Sequence, residues 1–208
     1  MTEKLFKPGS PPDRILKAAR RLYFSEGVDK VSTDTLAREA SVSKTTMYKY
    51  FPDQSELFRL VVEAEGDRFE TGVPTDVESP EALRTILIQY GTQLLSFLNE
   101  RDIIQFGQLI HEEARDHPTV ARTFYDAAYG RTHARLTDLL RQGLEADHIR
   151  STLTAEELSE QLIGMWESLS YVRAQLCLTK KPYPKPKDWS RKCVDTLMGA
   201  STTLRTSP

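Results

Sequence analysis

The chain has 208 residues, 39% apolar and 28% charged, a composition that excludes a disordered or fibrous polymer and allows one large core or two small ones. No apolar run approaches the ~20 residues a membrane-spanning helix needs, the first dozen residues carry no hydrophobic signal core, and Cys177 and Cys193 have no metal-like spacing. The net charge is only −2, but residues 1–60 hold 11 Lys/Arg against 8 Asp/Glu and residues 61–208 hold 17 against 22, a mildly basic module on an acidic body. Residues 1–9 read as a polar tail. Ser10-Pro11-Pro12-Asp13 then opens a helix that runs to about Ser25 with Ile15, Ala18, Ala19 and Leu22 inward, and Gly27 ends it.

Two short helices follow. Ser32 caps the first, where Leu36, Ala37 and Ala40 make a narrow apolar stripe and Asp34 sits in the first turn. Ser41-Val42-Ser43 breaks the pattern, with Val42 as the apolar pin of a turn. Ser43 caps a second helix over residues 44–50, whose Met47, with Phe51, faces inward. Asp53 and Glu56 form a capping-box-like start for a fourth helix, reaching about Glu70 and carrying Leu57, Phe58, Val61 and Val62. Residues 72–80 are the clearest break. Helices are then expected over 79–99, 102–115, 119–145, 154–178 and 188–201, with the proline-rich KKPYPKPK (180–187) as a non-helical loop. No strand-like alternation and no repeat occurs. The fold expected is all-α, about nine helices, with a helix-turn-helix domain over 1–60 and a larger helical domain over 61–208.

Residues 44–50 carry the chemistry. With Met47 inward, Lys44, Thr45, Thr46, Tyr48, Lys49 and Tyr50 face out, and no acidic residue lies between Val42 and Pro52. Lys and Thr can bond base edges and phosphates, and Tyr hydroxyls reach phosphate oxygens from rigid side chains. Lys44, Thr45 and Lys49 are expected on bases or flanking phosphates; Thr33, Thr46, Tyr48 and Tyr50 mainly on phosphates. Lys4 and Lys7 of the tail would permit a minor-groove contact. The plainer alternative is a helical hairpin with a solvated basic face, since short helix-turn-helix patterns recur by chance.

The context narrows that choice. Ile15, Ala18, Ala19, Leu22, Phe24, Gly27, Thr33, Leu36, Ala37, Ala40, Val42, Ser43, Thr46, Met47, Tyr48, Tyr50, Phe51, Leu57 and Phe58 resemble, in order and register, the N-terminal domain of the TetR family of bacterial transcription regulators. Ser41 stands where that family usually has Gly, so a left-handed turn residue costs more here. Thr45 replaces a frequent Gly, and Gln54 replaces a phosphate-binding Lys. The segment from Phe106 to Arg131 resembles the ligand-binding domain of the AefR-like subgroup over about residues 85–175. The resemblance implies a ligand-responsive regulator, a repressor on a near-palindromic double-stranded operator; a cytoplasmic location is expected by elimination, from the lack of a spanning run and a signal core. The resemblance also implies a homodimer through helices 154–178 and 188–201, using Leu162, Trp166, Leu169 and Leu176 on one and Val194, Leu197 and Met198 on the other.

A small organic effector is expected among Tyr90, Phe97, Phe106, Tyr125, Tyr129 and Trp166, since aromatics with a few polar handles are how helical domains hold such molecules, although most will simply be core. Arg131, His133 and Arg173 are the candidate handles, favouring an anionic or carbonyl-bearing apolar molecule. No cofactor, metal or catalytic set is expected. His111-Glu112-Glu113 resembles a zinc motif, but that motif needs its second His at 115, which is Arg. An enzyme built on the C-terminal helices and a constitutive DNA-binding protein without inducer are the rival readings. The 180–187 loop reads as a solvated connector or a secondary anion patch.

Overall fold

The computed structural model describes residues 6–203; Lys4 of the polar tail lies outside them. It contains α1 (Pro11–Glu26), α2 (Thr33–Glu39), α3 (Lys44–Tyr50), α4 (Gln54–Glu70), α5 (Pro80–Phe97), α6 (Arg101–Glu113), α7 (Pro118–Tyr125), a π-helical turn (Asp126–Gly130), α8 (Arg131–Glu145), α9 (Ala155–Gln175) and α10 (Pro186–Thr203). The expected helix over 119–145 is α7, the π turn and α8 run together. Counted so, nine helical runs occur among the described residues, and none is a strand.

The chain divides into two compact units, residues 1–69 with 101–129 and residues 70–100 with 130–208. This division does not fall at residue 60: α6 and α7 fold with the N-terminal helices. In the first unit Ile15, Ala18, Ala19, Tyr23, Leu36, Met47, Leu57 and Phe58 form a closed core. Phe24 stacks flat on Phe106 of α6, ring centroids 4.0 Å apart. Arg20 ties three helices together, reaching Glu65 of α4 at 2.6 Å and Asp102 of α6 at 2.8 Å. Glu65 is buried, and these carboxylates hold the Arg20 guanidinium well above its ordinary pKa despite its partial desolvation. Gly27 is required where it stands. Its φ is +92°, and a Cβ there would meet Glu113 Oε1, whose partner oxygen accepts the Val28 N–H at 3.2 Å.

The second unit consists of α5, α8, α9 and α10 around Leu83, Leu87, Tyr90, Leu95, Leu136, Leu139, Leu140, Leu162, Trp166 and Val194. α5 approaches α9 and α10 so closely that a Cβ on Gly91 would lie 2.4 Å from Trp166 Cε2 and from Ser190 Oγ. α9 opens with a complete capping box formed by Thr154 and Glu157. It is kinked at Ser168, whose φ/ψ of 48°/−170° interrupts the ladder. The Ser170 N–H turns to Ser168 Oγ, and the carbonyls released from the ladder take side-chain donors: Trp189 Nε1–H reaches Trp166 O at 3.0 Å and Tyr183 O–H reaches Glu167 O at 2.7 Å.

The loop over 180–185 is held rigidly by its one tyrosine. Asn99 donates to Tyr183 O at 2.7 Å and accepts the Tyr183 N–H at 2.9 Å. α10 begins two residues earlier than the sequence pattern implies, because Pro186 is tolerated in the first turn, where its missing N–H has no helical partner. α4 also starts differently. Asp53 Oδ1 accepts the N–H of Ser55, whereas Glu56 pairs with Arg59 and does not complete a capping box.

Candidate nucleic-acid interface and effector region

The turn between α2 and α3 is built from two chain reversals of backbone bonds. The Val42 N–H reaches back to Ala37 O at 2.9 Å and the Ser41 N–H to Arg38 O at 3.1 Å, a Schellman motif with Ser41 in the left-handed conformation, φ +52°. The Ser41 carbonyl in turn accepts Arg14 Nη1 of α1, which fixes the turn to the unit. Both short helices are capped by serine: the Thr35 N–H donates to Ser32 Oγ and the Thr46 N–H to Ser43 Oγ.

On this rigid turn α3 buries only Met47. Lys44, Thr45, Tyr48, Lys49 and Tyr50 are exposed, and Thr33 and Thr46 are half-buried. The Thr46 hydroxyl is engaged with Ser43 Oγ at 2.8 Å. Lys49 lies 5.6 Å over the Tyr50 ring, which stiffens both side chains. Thus six of the seven residues expected at DNA lie along α3, and Thr33 is the first residue of α2.

One partner was not legible in the sequence. Asp34 on α2 reaches across to Lys44, Oδ1 to Nζ 2.6 Å, and its hydrogen bond raises the Lys44 ammonium above its usual pKa. The absence of acids within α3 says nothing of a carboxylate delivered by its neighbour. Gln54 is also spent: its amide donates to Val31 O at 2.6 Å and holds the α1–α2 connection.

The eight residues expected at an effector divide between the units. Phe106, Tyr125 and Tyr129 belong to the first, where Phe106 meets Phe124 edge-on at 5.7 Å and Tyr125 stacks with Tyr129 at 6.2 Å. Phe106 is buried and Tyr125 exposed. Tyr90, Phe97, His133, Trp166 and Arg173 belong to the second. There Tyr90 and Trp166 are fully buried and stacked at 6.2 Å, Phe97 is half-buried, His133 contacts Glu156 O, and Arg173 is exposed. Trp166 Nε1 is buried without a hydrogen-bond partner. Tyr90 donates to Glu70 Oε1 at 2.8 Å, and Arg131 donates to Glu70 Oε2 at 2.6 Å. Burial first, and the Glu70 carboxylate second, push the Tyr90 phenol above its usual pKa. Glu70 was missed in the sequence because a single carboxylate at a helix end has no periodic signature. Two clefts of the first unit, about 210 and 330 Å³, are lined by none of the eight. His111 and His117 face different partners, Gly107 O and Asp29, and among the described residues no group of three His, Cys, Asp or Glu is placed to hold a metal. No helix among these residues is long and apolar enough to cross a membrane.

A helix pair joined by a tight left-handed turn, with the second helix presenting cations, hydroxyls and phenols, defines a helix-turn-helix DNA-binding protein. Residues 15–61 match bacterial regulatory proteins of the tetR family, residues 85–200 match the C-terminal domain of AefR-like transcriptional repressors, and the chain belongs to the TetR family of transcription regulators. An HTH-type transcriptional regulator of Bacillus subtilis (strain 168), YdeS, is 24% identical over 165 residues, covering 76% of this chain and 79% of its own. A regulator of Staphylococcus aureus (strain USA300) is 34% identical over 58 residues, 28% of this chain and 31% of its own. Among solved structures, a TetR regulator from Agrobacterium tumefaciens aligns with a TM-score of 0.74 at 23% identity, covering 92% of this chain and 94% of that one. The Flavonoid-responsive Regulator FrrA aligns at 0.72 and 23%, covering 93% and 96%. These structures share the fold. Regulators of this family bind DNA operators and typically form homodimers; the matched domains and relatives are those of regulators, not enzymes.

Proposed function

We propose that the chain is a repressor that binds a near-palindromic operator as a homodimer and leaves it when a small apolar effector binds the second unit. A cytoplasmic location accompanies that role. The DNA-reading part lies within residues 1–60, and Lys44, Thr45 and Lys49 supply base or flanking-phosphate contacts, with Thr33, Thr46, Tyr48 and Tyr50 on phosphates. The observation that carries this reading is α3 itself, seven residues long with one buried side chain and its cations outward. The effector region is centred on Tyr90 and Trp166, where a stacked aromatic pair, an unpartnered indole N–H and an Arg131 handle occur together. A solved structure of the same fold is named as flavonoid-responsive, which supports an aromatic effector. Residues 154–178 and 188–201 supply the dimer contact, for which α9 and its C-cap offer exposed Leu169, Val172 and Leu176.

The test is Lys44→Ala, with operator and random-duplex affinity measured across a salt series. If Lys44 bonds a base edge, its removal costs roughly 1–3 kcal/mol on the operator; if it pairs with a phosphate, both duplexes bind more weakly and the salt slope falls by about 1. Unchanged affinity for both duplexes defeats the assignment.

A further inference from the structure

We propose that Arg131 and Tyr90 form a carboxylate receptor that the chain fills with its own Glu70, so that the effector is an organic acid which takes that carboxylate's place. The inference rests on the reading of the second unit as the effector region and names the class of molecule it takes. The geometry is that of a bound carboxylate. One oxygen of Glu70 accepts the Tyr90 phenol at 2.8 Å and the other accepts the Arg131 guanidinium at 2.6 Å. The ion pair is mostly withdrawn from water, with side-chain exposures of 29% for Arg131 and 15% for Glu70. A guanidinium and a phenol converging on the two oxygens of one carboxylate supply charge and direction together, and such charge-assisted bonds are the strong ones. Partly withdrawn from water, both donors gain by facing a carboxylate, so an anion of like geometry can stand where Glu70 does.

Its surroundings select the rest of the ligand. The Tyr90 ring stacks on Trp166 with an interplanar angle of 18°, and the buried Trp166 Nε1 has no partner of its own. Both rings are fully buried, so an acid bearing a flat apolar body must part this closed pair to settle in Glu70's place. A neutral analogue of the same shape cannot compensate Arg131.

The resident carboxylate is also the last residue of α4, the helix whose earlier turns belong to the DNA-reading unit. Glu65 fastens α4 to α1 and α6 through Arg20. Glu70 fastens the end of the same helix to α5 and α8. An acid that displaces Glu70 releases the second fastening and leaves the first intact. Its leverage on DNA equals the difference between its affinity for the two states; a tenfold change in operator affinity needs only ~1.4 kcal/mol.

The probes are benzoate and its neutral isostere benzamide, read by calorimetry and melting temperature without DNA, then by operator affinity. Benzoate is expected to bind the wild-type chain and weaken operator binding, and benzamide to do neither. Glu70→Gln keeps the shape of the internal competitor without its charge, so benzoate should bind that variant about tenfold more tightly. Tyr90→Phe in the Glu70→Gln background should weaken benzoate again. Glu70→Ala vacates the receptor and should melt a few degrees lower, with acetate restoring the loss and chloride at equal ionic strength failing to. Equal benzoate affinity for wild type and Glu70→Gln, or no rescue of Glu70→Ala by acetate, overturns the receptor. Benzoate binding that leaves operator affinity unchanged overturns the acid as effector. Failure of the DNA reading shows separately, as operator binding indifferent to Lys44→Ala, because the DNA-free measurements do not involve α3.

Discussion

Ser41 sits at φ +52° because the turn between α2 and α3 needs a left-handed residue between two backbone bonds, to Arg38 O and Ala37 O. A Cβ in that conformation costs ~1–2 kcal/mol, and glycine removes the cost. Ser41→Gly is therefore expected to stabilise the chain by about 1 kcal/mol, raising the melting temperature by roughly 2–4 °C. Lys44 and Arg14 keep their geometry, so operator affinity should not change. The substituted position was legible from sequence, since Ser41 departs from the glycine that this turn usually carries. Lys44, by contrast, shows what was not: its pairing with Asp34 joins two helices, and no spacing rule in either helix encodes it.

Glu167 is the other residue whose environment makes a measurable claim. Burial pushes its carboxyl up to about 7 from an ordinary 4.5. The folded chain thus holds that proton more tightly than the unfolded chain. Its contribution favours folding below about 4.5 and is lost as pH rises through about 7. Glu167→Gln should flatten the melting-temperature profile over that window and leave the variant more stable above pH 7, by roughly 1–3 kcal/mol. An unaltered profile would show that the carboxyl reaches water.

At the scale of elements, the helices were legible where periodicity and caps agree. α3 was expected over residues 44–50 and occupies Lys44–Tyr50; the helix expected from residue 154 begins at Ala155 with Thr154 as its cap. The interruptions were not legible. The π turn at Asp126–Gly130 and the kink at Ser168 lie within segments of ordinary helical composition. The kink persists because Tyr183 and Trp189, contributed by the loop and α10, take the two carbonyls it frees. Tyr183→Phe leaves the Glu167 carbonyl without its donor and should cost about 1–2 kcal/mol of stability. The same substitution spares the Asn99 bonds to the Tyr183 backbone, so the loop itself should stay in place.

At the scale of the molecule, a dimer through α9 and α10, as proposed, has only what the second unit leaves uncovered to use. Of the residues expected at the contact, Leu162, Trp166, Val194 and Leu197 are buried within the unit's own core and do not face a second copy. Substituting Leu197 by a charged residue would therefore test folding and not association. Leu169 and Leu176 are different: they are 67% and 64% exposed, and with Val172 they recur at i, i+3 and i+7 along the end of α9 beyond the kink, Leu176 being its C-cap. Such a stripe gains by being buried at ~25 cal/mol per Å² of apolar area removed from water, whereas an exposed glutamate at the same point gains nothing. Leu169→Glu with Leu176→Glu should yield a monomer by light scattering at micromolar concentration, with unchanged helical circular dichroism because neither side chain contributes to the core. A monomer reads one half-site at a time and forgoes the added affinity of a second, tethered recognition helix roughly 34–36 Å away. Operator affinity should then fall toward that of a single half-site, while the bonds within each half-site remain. A dimer that survives both substitutions would place the interface elsewhere on the unit.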